Sequence, residues 1–220
     1  MRRGGGEVEL LEDRDRLVLV GKTGAGKSTW LKEYLRRWVA AGRRAVVLDF
    51  CDEYSAGAPK SERVTPGPLR DRVEFEALLE APDMLAASDL SLAVVPSRDS
   101  QECAEQVGEL IELVEAQGEM LLAMDEVGMF SDFCQKRLHY AAAQSRHWGV
   151  PLVLASQSMI DIPAKARRQA TRLVSFIQTH PPDVEAVAEL TRDKEFALEV
   201  SRLRLGECLT WRDQIQRKEK

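Results

Sequence analysis

Residues 21–29 read Gly21-Lys22-Thr23-Gly24-Ala25-Gly26-Lys27-Ser28-Thr29, three glycines set among amines and hydroxyls. The stretch fits the spacing G-x-x-x-x-G-K-[ST] in full. Glycine lets the backbone turn until consecutive N–H groups point at one centre. Backed by the positive end of a helix, such a nest attracts phosphate oxygens. In that arrangement Lys27 reaches the β- and γ-phosphates of a nucleotide, and the Ser28 hydroxyl ligates Mg²⁺. An apolar strand pattern at 17–20 precedes the loop and a helical pattern at 28–41 follows it. That context favours a phosphate-binding P-loop over a glycine-rich turn with no ligand.

Two further polar groups stand at the ends of apolar runs. Residues 120–124 lead into Asp125-Glu126. An acid at the carboxyl end of a buried parallel strand can hold Mg²⁺ directly or through its water, which assigns the metal to Asp125 beside Ser28. Glu126 is then placed to act as general base, polarising the water that attacks the γ-phosphate. Residues 150–155 lead into Ser156-Gln157-Ser158. If that strand neighbours the P-loop strand, the Gln157 amide emerges beside the γ-phosphate, able to donate to a phosphate oxygen and to accept from water.

These groups need a scaffold, and the apolar pattern supplies one. Nearly continuous apolar runs at 17–20, 45–48, 91–95, 120–124 and 150–155 suit strands covered on both faces. Helical stretches at 28–41, 75–79, 101–116 and 133–146 alternate with them, and late strands at 172–178 and 207–211 flank a helix near 182–203. The expectation is an α/β fold with a central, mostly parallel sheet flanked by helices. The organisation reads as an N-terminal extension (1–16), one domain (17–212) and a short basic tail (213–220). Residues 55–72, rich in Gly and Pro, read as one long loop.

Composition bounds the possibilities. The chain has 220 residues, 44% hydrophobic and 30% charged, with a net charge of −5. These values suit a soluble globular protein and disfavour passive coating of nucleic acid. The start, Met1-Arg2-Arg3-Gly4-Gly5-Gly6, does not read as a secretory signal, so a cytoplasmic location is expected. Cys51, Cys103, Cys134 and Cys208 are scattered without a ligand-spaced pair and read as buried free thiols.

The order of P-loop, strand with Asp-Glu, then strand with Gln resembles the additional-strand, catalytic-glutamate (RecA/ASCE-like) branch of P-loop NTPases. Within it the chain resembles the FtsK–HerA superfamily. Asp49-Phe50-Cys51-Asp52-Glu53-Tyr54 is similar to D-x-x-G-E-Y, with Asp52 in place of the Gly. Ser145-Arg146-His147-Trp148-Gly149-Val150 is similar to G-R-K-x-G-[VI], and Leu154-Ala155-Ser156-Gln157-Ser158-Met159-Ile160-Asp161-Ile162-Pro163 to L-A-[ST]-Q-x-P-x-x-[IL]-P.

The resemblance implies ATP hydrolysis with Mg²⁺ at the interfaces of a homo-oligomeric ring, a hexamer or pentamer, that draws double-stranded DNA through its centre. Lys27, Glu126 and Gln157 carry over as catalytic groups. Arg146 matches the position from which an arginine reaches a neighbour's γ-phosphate; as an ordinary arginine at a helix end it reads equally well. The compact chain looks most like the genome-packaging ATPases of membrane-containing icosahedral viruses. That implies capsid or viral membrane proteins as partners, and residence in the host cytoplasm or with the virion.

Residues 164–172 carry Lys165, Arg167, Arg168 and Arg172 without an acid, and Lys165, Arg167 and Arg168 are the candidate DNA contacts. Lys60, Arg63, Arg70 and Arg72 in the 55–72 loop form a second basic group. The alternatives are an ATPase driving protein or phage assembly, a nucleoside or nucleotide kinase, and a non-enzymatic nucleotide switch. The Asp125-Glu126 pair counts against the kinase, and Glu126 with Gln157 against the switch.

Overall fold

A computed structural model of the chain describes residues 9–56 and 67–213. Its elements run β1 (Arg16–Val20), α1 (Lys27–Ala40), β2 (Ala45–Leu48), β3 (Asp71–Glu74), α2 (Phe75–Glu80), β4 (Ser91–Val95) and α3 (Ser100–Gln117). They continue through β5 (Leu121–Met124), α4 (Ser131–Trp148), β6 (Leu152–Ser156), α5 (Ala164–Arg167), β7 (Arg172–Phe176), α6 (Pro181–Thr191), α7 (Lys194–Val200) and β8 (Cys208–Arg212). Short 3₁₀ turns occupy Pro82–Ala86 and Val127–Met129.

The strands form one eight-stranded sheet in the order β3-β4-β2-β5-β6-β1-β7-β8. All pairings are parallel except β7 with β8, which is antiparallel. Six of the strands (β1, β2, β4, β5, β6 and β7) are buried along their whole length, as continuous apolar runs require when both sheet faces are covered. Alternate residues then serve opposite cores. Val18, Val46, Leu122 and Leu154 pack with α3 and α4 on one face. Leu17, Leu19, Val47, Ala123 and Val153 face Leu31, Leu35 and Trp38 of α1 on the other. Leu11 joins that second core, and its N–H donates to the Tyr34 hydroxyl at 2.8 Å. Trp30, Tyr34 and Trp38 stack along α1, so these tryptophans are packing groups.

The sheet order places β6 between β1 and β5. One strand therefore separates the P-loop strand from the Asp125-Glu126 strand, and β6 is the neighbour of β1 that the Gln157 reading requires.

Some elements differ from expectation. The helix expected near 182–203 is two helices. Arg192 stands at φ 56°, which ends α6, and the Asp193 carboxylate accepts from the Phe196 N–H to cap α7. The loop expected over 55–72 is in part sheet: Ser55 bridges Leu69, and Asp71 opens β3. Cys51 is exposed, whereas Cys103, Cys134 and Cys208 are buried. Among the described residues no helix is long and apolar enough to cross a membrane. Lys60, Arg63 and residues 214–220 of the basic tail lie outside the described residues.

Candidate active site

The P-loop leaves β1 after Val20 and folds over the ends of β6 and β7. The Gly21 N–H donates to the Ser156 carbonyl (3.4 Å) and the Lys22 N–H to the Ile177 carbonyl (3.4 Å). Phe176, at the end of β7, explains two of the glycines. A Cβ on Gly21 would lie 2.4 Å from the Phe176 Cβ, and one on Gly26 would lie 3.0 Å from its ring. Gly26 also stands at φ 112°, a conformation side-chain-bearing residues rarely adopt. From there α1 begins, with Lys27 and Ser28 in its first turn. The Lys27 side chain is buried, and its ammonium donates to the Gly21 carbonyl at 2.9 Å, so the cation lies against the loop.

Asp125, at the end of β5, is 1% exposed. Its Oδ2 accepts from the Tyr54 hydroxyl at 2.7 Å, while Oδ1 is buried without a partner. Burial is the main cause that pushes its pKa up to about 6; the Tyr54 hydrogen bond opposes the shift and the Glu126 charge adds to it. A buried acceptor with no partner fits a cation better than it fits a structural role. Asp125 and Ser28 would therefore hold Mg²⁺.

Glu126 stands at φ 51°, an uncommon conformation for a residue with a side chain. Its carboxylate accepts from Gln157 Nε2 at 3.1 Å, and Gln157 Oε1 accepts from the Thr23 hydroxyl at 2.6 Å. The candidate base, the candidate sensor and the P-loop are thus one hydrogen-bonded chain at the mouth of the loop.

Several groups that hold this chain were not singled out by the sequence. Gln178, 1% exposed beyond the end of β7, donates to the Gln157 carbonyl at 3.1 Å. Asp161 accepts from the Ser156 hydroxyl (2.7 Å) and the Ser158 N–H (3.2 Å). Asp183 accepts from the Ser158 hydroxyl and the Ile160 N–H. Gln178 follows an apolar run in the same pattern as Gln157, a usable signal. Asp161 and Asp183 carried none beyond their polarity.

Arg146 lies elsewhere. It is exposed in the last turn of α4, which is kinked at Cys134 near its start. Arg146 acts on Arg16, lowering the pKa of that guanidinium, an effect second only to burial. Arg16 opens β1 beside Leu152, which opens β6 just after α4, so the last turn of α4 with Arg146 stands at the end of the strands opposite the P-loop.

The expected basic surface is largely neutralised within the fold. Arg168 binds Glu189 of α6 through Nε (3.0 Å) and Nη2 (2.6 Å), and Arg167 approaches the same carboxylate at 3.7 Å. Arg172 is buried against Asp15 at 2.6 Å, so it is no part of a DNA-facing surface. Lys165 is exposed and makes no ion pair among the described residues. In the second basic group, Arg72 pairs with Asp52 and Glu74, and Arg70 with Asp71 and Asp89.

No protein-family model and no curated protein matches the sequence. Solved structures do. The genome packaging NTPase B204 from Sulfolobus turreted icosahedral virus 2, in complex with ATP-gammaS, is 18% identical with a TM-score of 0.65, covering 92% of this chain and 94% of that one. VirB4 of Thermoanaerobacter pseudethanolicus is 14% identical with a TM-score of 0.63, over 90% of this chain and 87% of that one. The bacterial conjugative coupling protein TrwB is 12% identical with a TM-score of 0.61, over 93% and 83%. The fold is that of RecA-like P-loop NTPases, as the alternation of strands and helices led one to expect.

Proposed function

We propose that this chain is an ATPase that moves double-stranded DNA, most like a genome-packaging motor. The observation that carries the hydrolytic part is the hydrogen-bonded chain from Thr23 through Gln157 to Glu126. It puts a carboxylate and an orienting amide beside a phosphate-binding loop, an arrangement suited to activating water. A kinase needs no such base at that point.

In this reading the P-loop N–H groups and Lys27 bind the nucleotide phosphates. When bound, Mg²⁺ supplies charge neutralisation at the β- and γ-phosphates. Glu126 accepts a proton from the attacking water, and Gln157 holds Glu126 and reports the γ-phosphate. Arg146, at the other end of the strands from its own P-loop, would serve a neighbouring subunit's γ-phosphate in a homo-oligomeric ring. There its guanidinium neutralises charge that develops in the transition state.

The DNA part is supported by the kind of protein that shares the fold: a viral genome packaging NTPase and a conjugative coupling protein. Lys165, with Arg167 and Arg168, would contact DNA phosphates. Contacts of that kind carry no sequence preference, as a pump requires. Capsid or viral membrane proteins complete the proposed set of partners, in the host cytoplasm or with the virion. The test is steady-state ATP hydrolysis with and without long double-stranded DNA. The expected result is stimulation by DNA that Lys27→Ala abolishes. Turnover indifferent to DNA would move the reading to a protein-assembly ATPase.

A further inference from the structure

Tyr54 is fully buried, and its hydroxyl reaches one of the groups that would hold the metal. It donates to Asp125 Oδ2 at 2.7 Å, while Lys32 of α1 lies over its ring. One side chain thus joins the turn after β2 to the end of β5.

The turn that delivers Tyr54 is anchored on three sides. The Asp49 carboxylate, at the end of β2, accepts from the Glu53 N–H (3.0 and 2.8 Å) and the Tyr54 N–H (2.7 Å). Asp52 stands at φ 55°, where short polar side chains are among the few that tolerate the left-handed region, and Arg72 grips its carboxylate at 2.7 Å through two nitrogens. Glu53 pairs at 3.0 Å with Lys32, whose ammonium also lies 5.7 Å from the Tyr54 ring centroid. Lys32 follows Ser28 by four residues, so both project from one face of α1 towards this turn.

The hydrogen-bond inventory gives this arrangement a direction. A phenol has one proton to donate, and Asp125 Oδ2 takes it. Asp125 Oδ1 is left buried and without a partner. Were the cluster there only to pack β2 against β5, an apolar side chain at 125 would serve better than a carboxylate with an unmet acceptor.

We propose that Tyr54 is a positioning residue for the metal: it fixes the Asp125 carboxylate through Oδ2 and leaves Oδ1 free, so that the metal-facing oxygen is arranged before Mg²⁺ arrives. The inference rests on the Mg²⁺–nucleotide reading of the site and is independent of DNA. Hydrogen-bond partners of this kind are commonly worth about 10–100-fold in metal affinity.

The test is binding of ATP, read by a fluorescent analogue, titrated with magnesium chloride and repeated in EDTA, for the wild type and Tyr54→Phe. Phe keeps the ring and removes only the hydroxyl. The expected result is a lower melting temperature from the hydrogen bond lost to a buried carboxylate, ATP affinity in EDTA within about twofold of wild type, and a Mg²⁺ requirement raised about tenfold or more. Asp49→Asn, which loosens the turn and leaves the phenol in place, should shift the Mg²⁺ requirement in the same direction. A Tyr54→Phe protein with a wild-type Mg²⁺ requirement would overturn the proposal. So would an equal loss with and without Mg²⁺, since that marks a packing role alone. If Mg²⁺ had no effect on nucleotide binding by the wild type, the reading of the site itself would fail, and Tyr54 with it.

Discussion

The Gln157 amide donates to the Glu126 carboxylate across 3.1 Å while its carbonyl oxygen accepts from Thr23, so one planar group ties the end of β5 to the P-loop. Glu126 stands in the left-handed region between the end of β5 and a short 3₁₀ turn, and the Gln157 amide is the side-chain partner that holds its carboxylate.

Removing that tether should damage chemistry more than binding. Gln157→Leu, similar in size but without the amide, is expected to lower single-turnover hydrolysis by on the order of 10² while ATP affinity changes by less than about threefold. Normal turnover in the variant would remove Gln157 from the site's machinery.

Arg146 gives a prediction about geometry rather than chemistry. Its place at the end of the strands away from its own P-loop fits the proposed role at a neighbour's nucleotide. Arg146→Ala should depress turnover by on the order of 10³, and added in increasing proportion it should poison wild-type rings more than dilution explains. Activity that falls only in proportion to the wild-type fraction would make Arg146 an ordinary surface residue.

The sheet interior predicts a pH dependence of stability. Asp49 and Asp125 are both pushed up to about 6, chiefly by burial. A carboxyl with a higher pKa folded than unfolded stabilises the fold below about 4, its unfolded value, and loses that contribution as pH rises through about 6. Without nucleotide or metal, the protein should lose about 1 kcal/mol per group between pH 5 and pH 7. Asp125→Asn should remove roughly half of that slope and raise the denaturant midpoint at pH 7. Equal midpoints at pH 5 and 7 in the wild type would contradict this account of the two acids.

Much of this was legible in the chain. The P-loop, Asp125-Glu126 and Gln157 were found because each ends an apolar run, and strands buried on both faces produce such runs. β3 escaped notice because Asp71, Arg72, Val73 and Glu74 include a single apolar residue; its pairing depends on β4 alongside rather than on its own pattern. The four-residue α5 is too short for a periodicity. Tyr54 was visible as a motif residue, yet its bond to Asp125 crosses 71 positions, which no local pattern registers. Asp52 was noted as a departure from a motif glycine. At φ 55° it occupies the conformation that glycine would take there, so the departure preserves the turn. The basic stretch around Arg168 misled in the opposite sense, because Glu189, which neutralises it, lies in another helix.

That pairing narrows the DNA prediction. Lys165 carries the charge with no internal partner among the described residues, so Lys165→Ala should weaken DNA binding more than Arg168→Ala does. Each phosphate contact removed from a ring subunit should reduce the steepness of the logarithmic salt dependence by about one. Measured binding at several salt concentrations distinguishes the two variants. Identical salt slopes in Lys165→Ala and wild type would exclude this surface.

If hydrolysis at Glu126 drives movement along DNA, the protein should displace a triplex-forming strand from a long duplex. ATP-dependent displacement is expected of the wild type and none of Glu126→Gln, which still binds Mg²⁺–ATP. Hydrolysis without displacement in the wild type, or displacement by Glu126→Gln, would contradict the proposal.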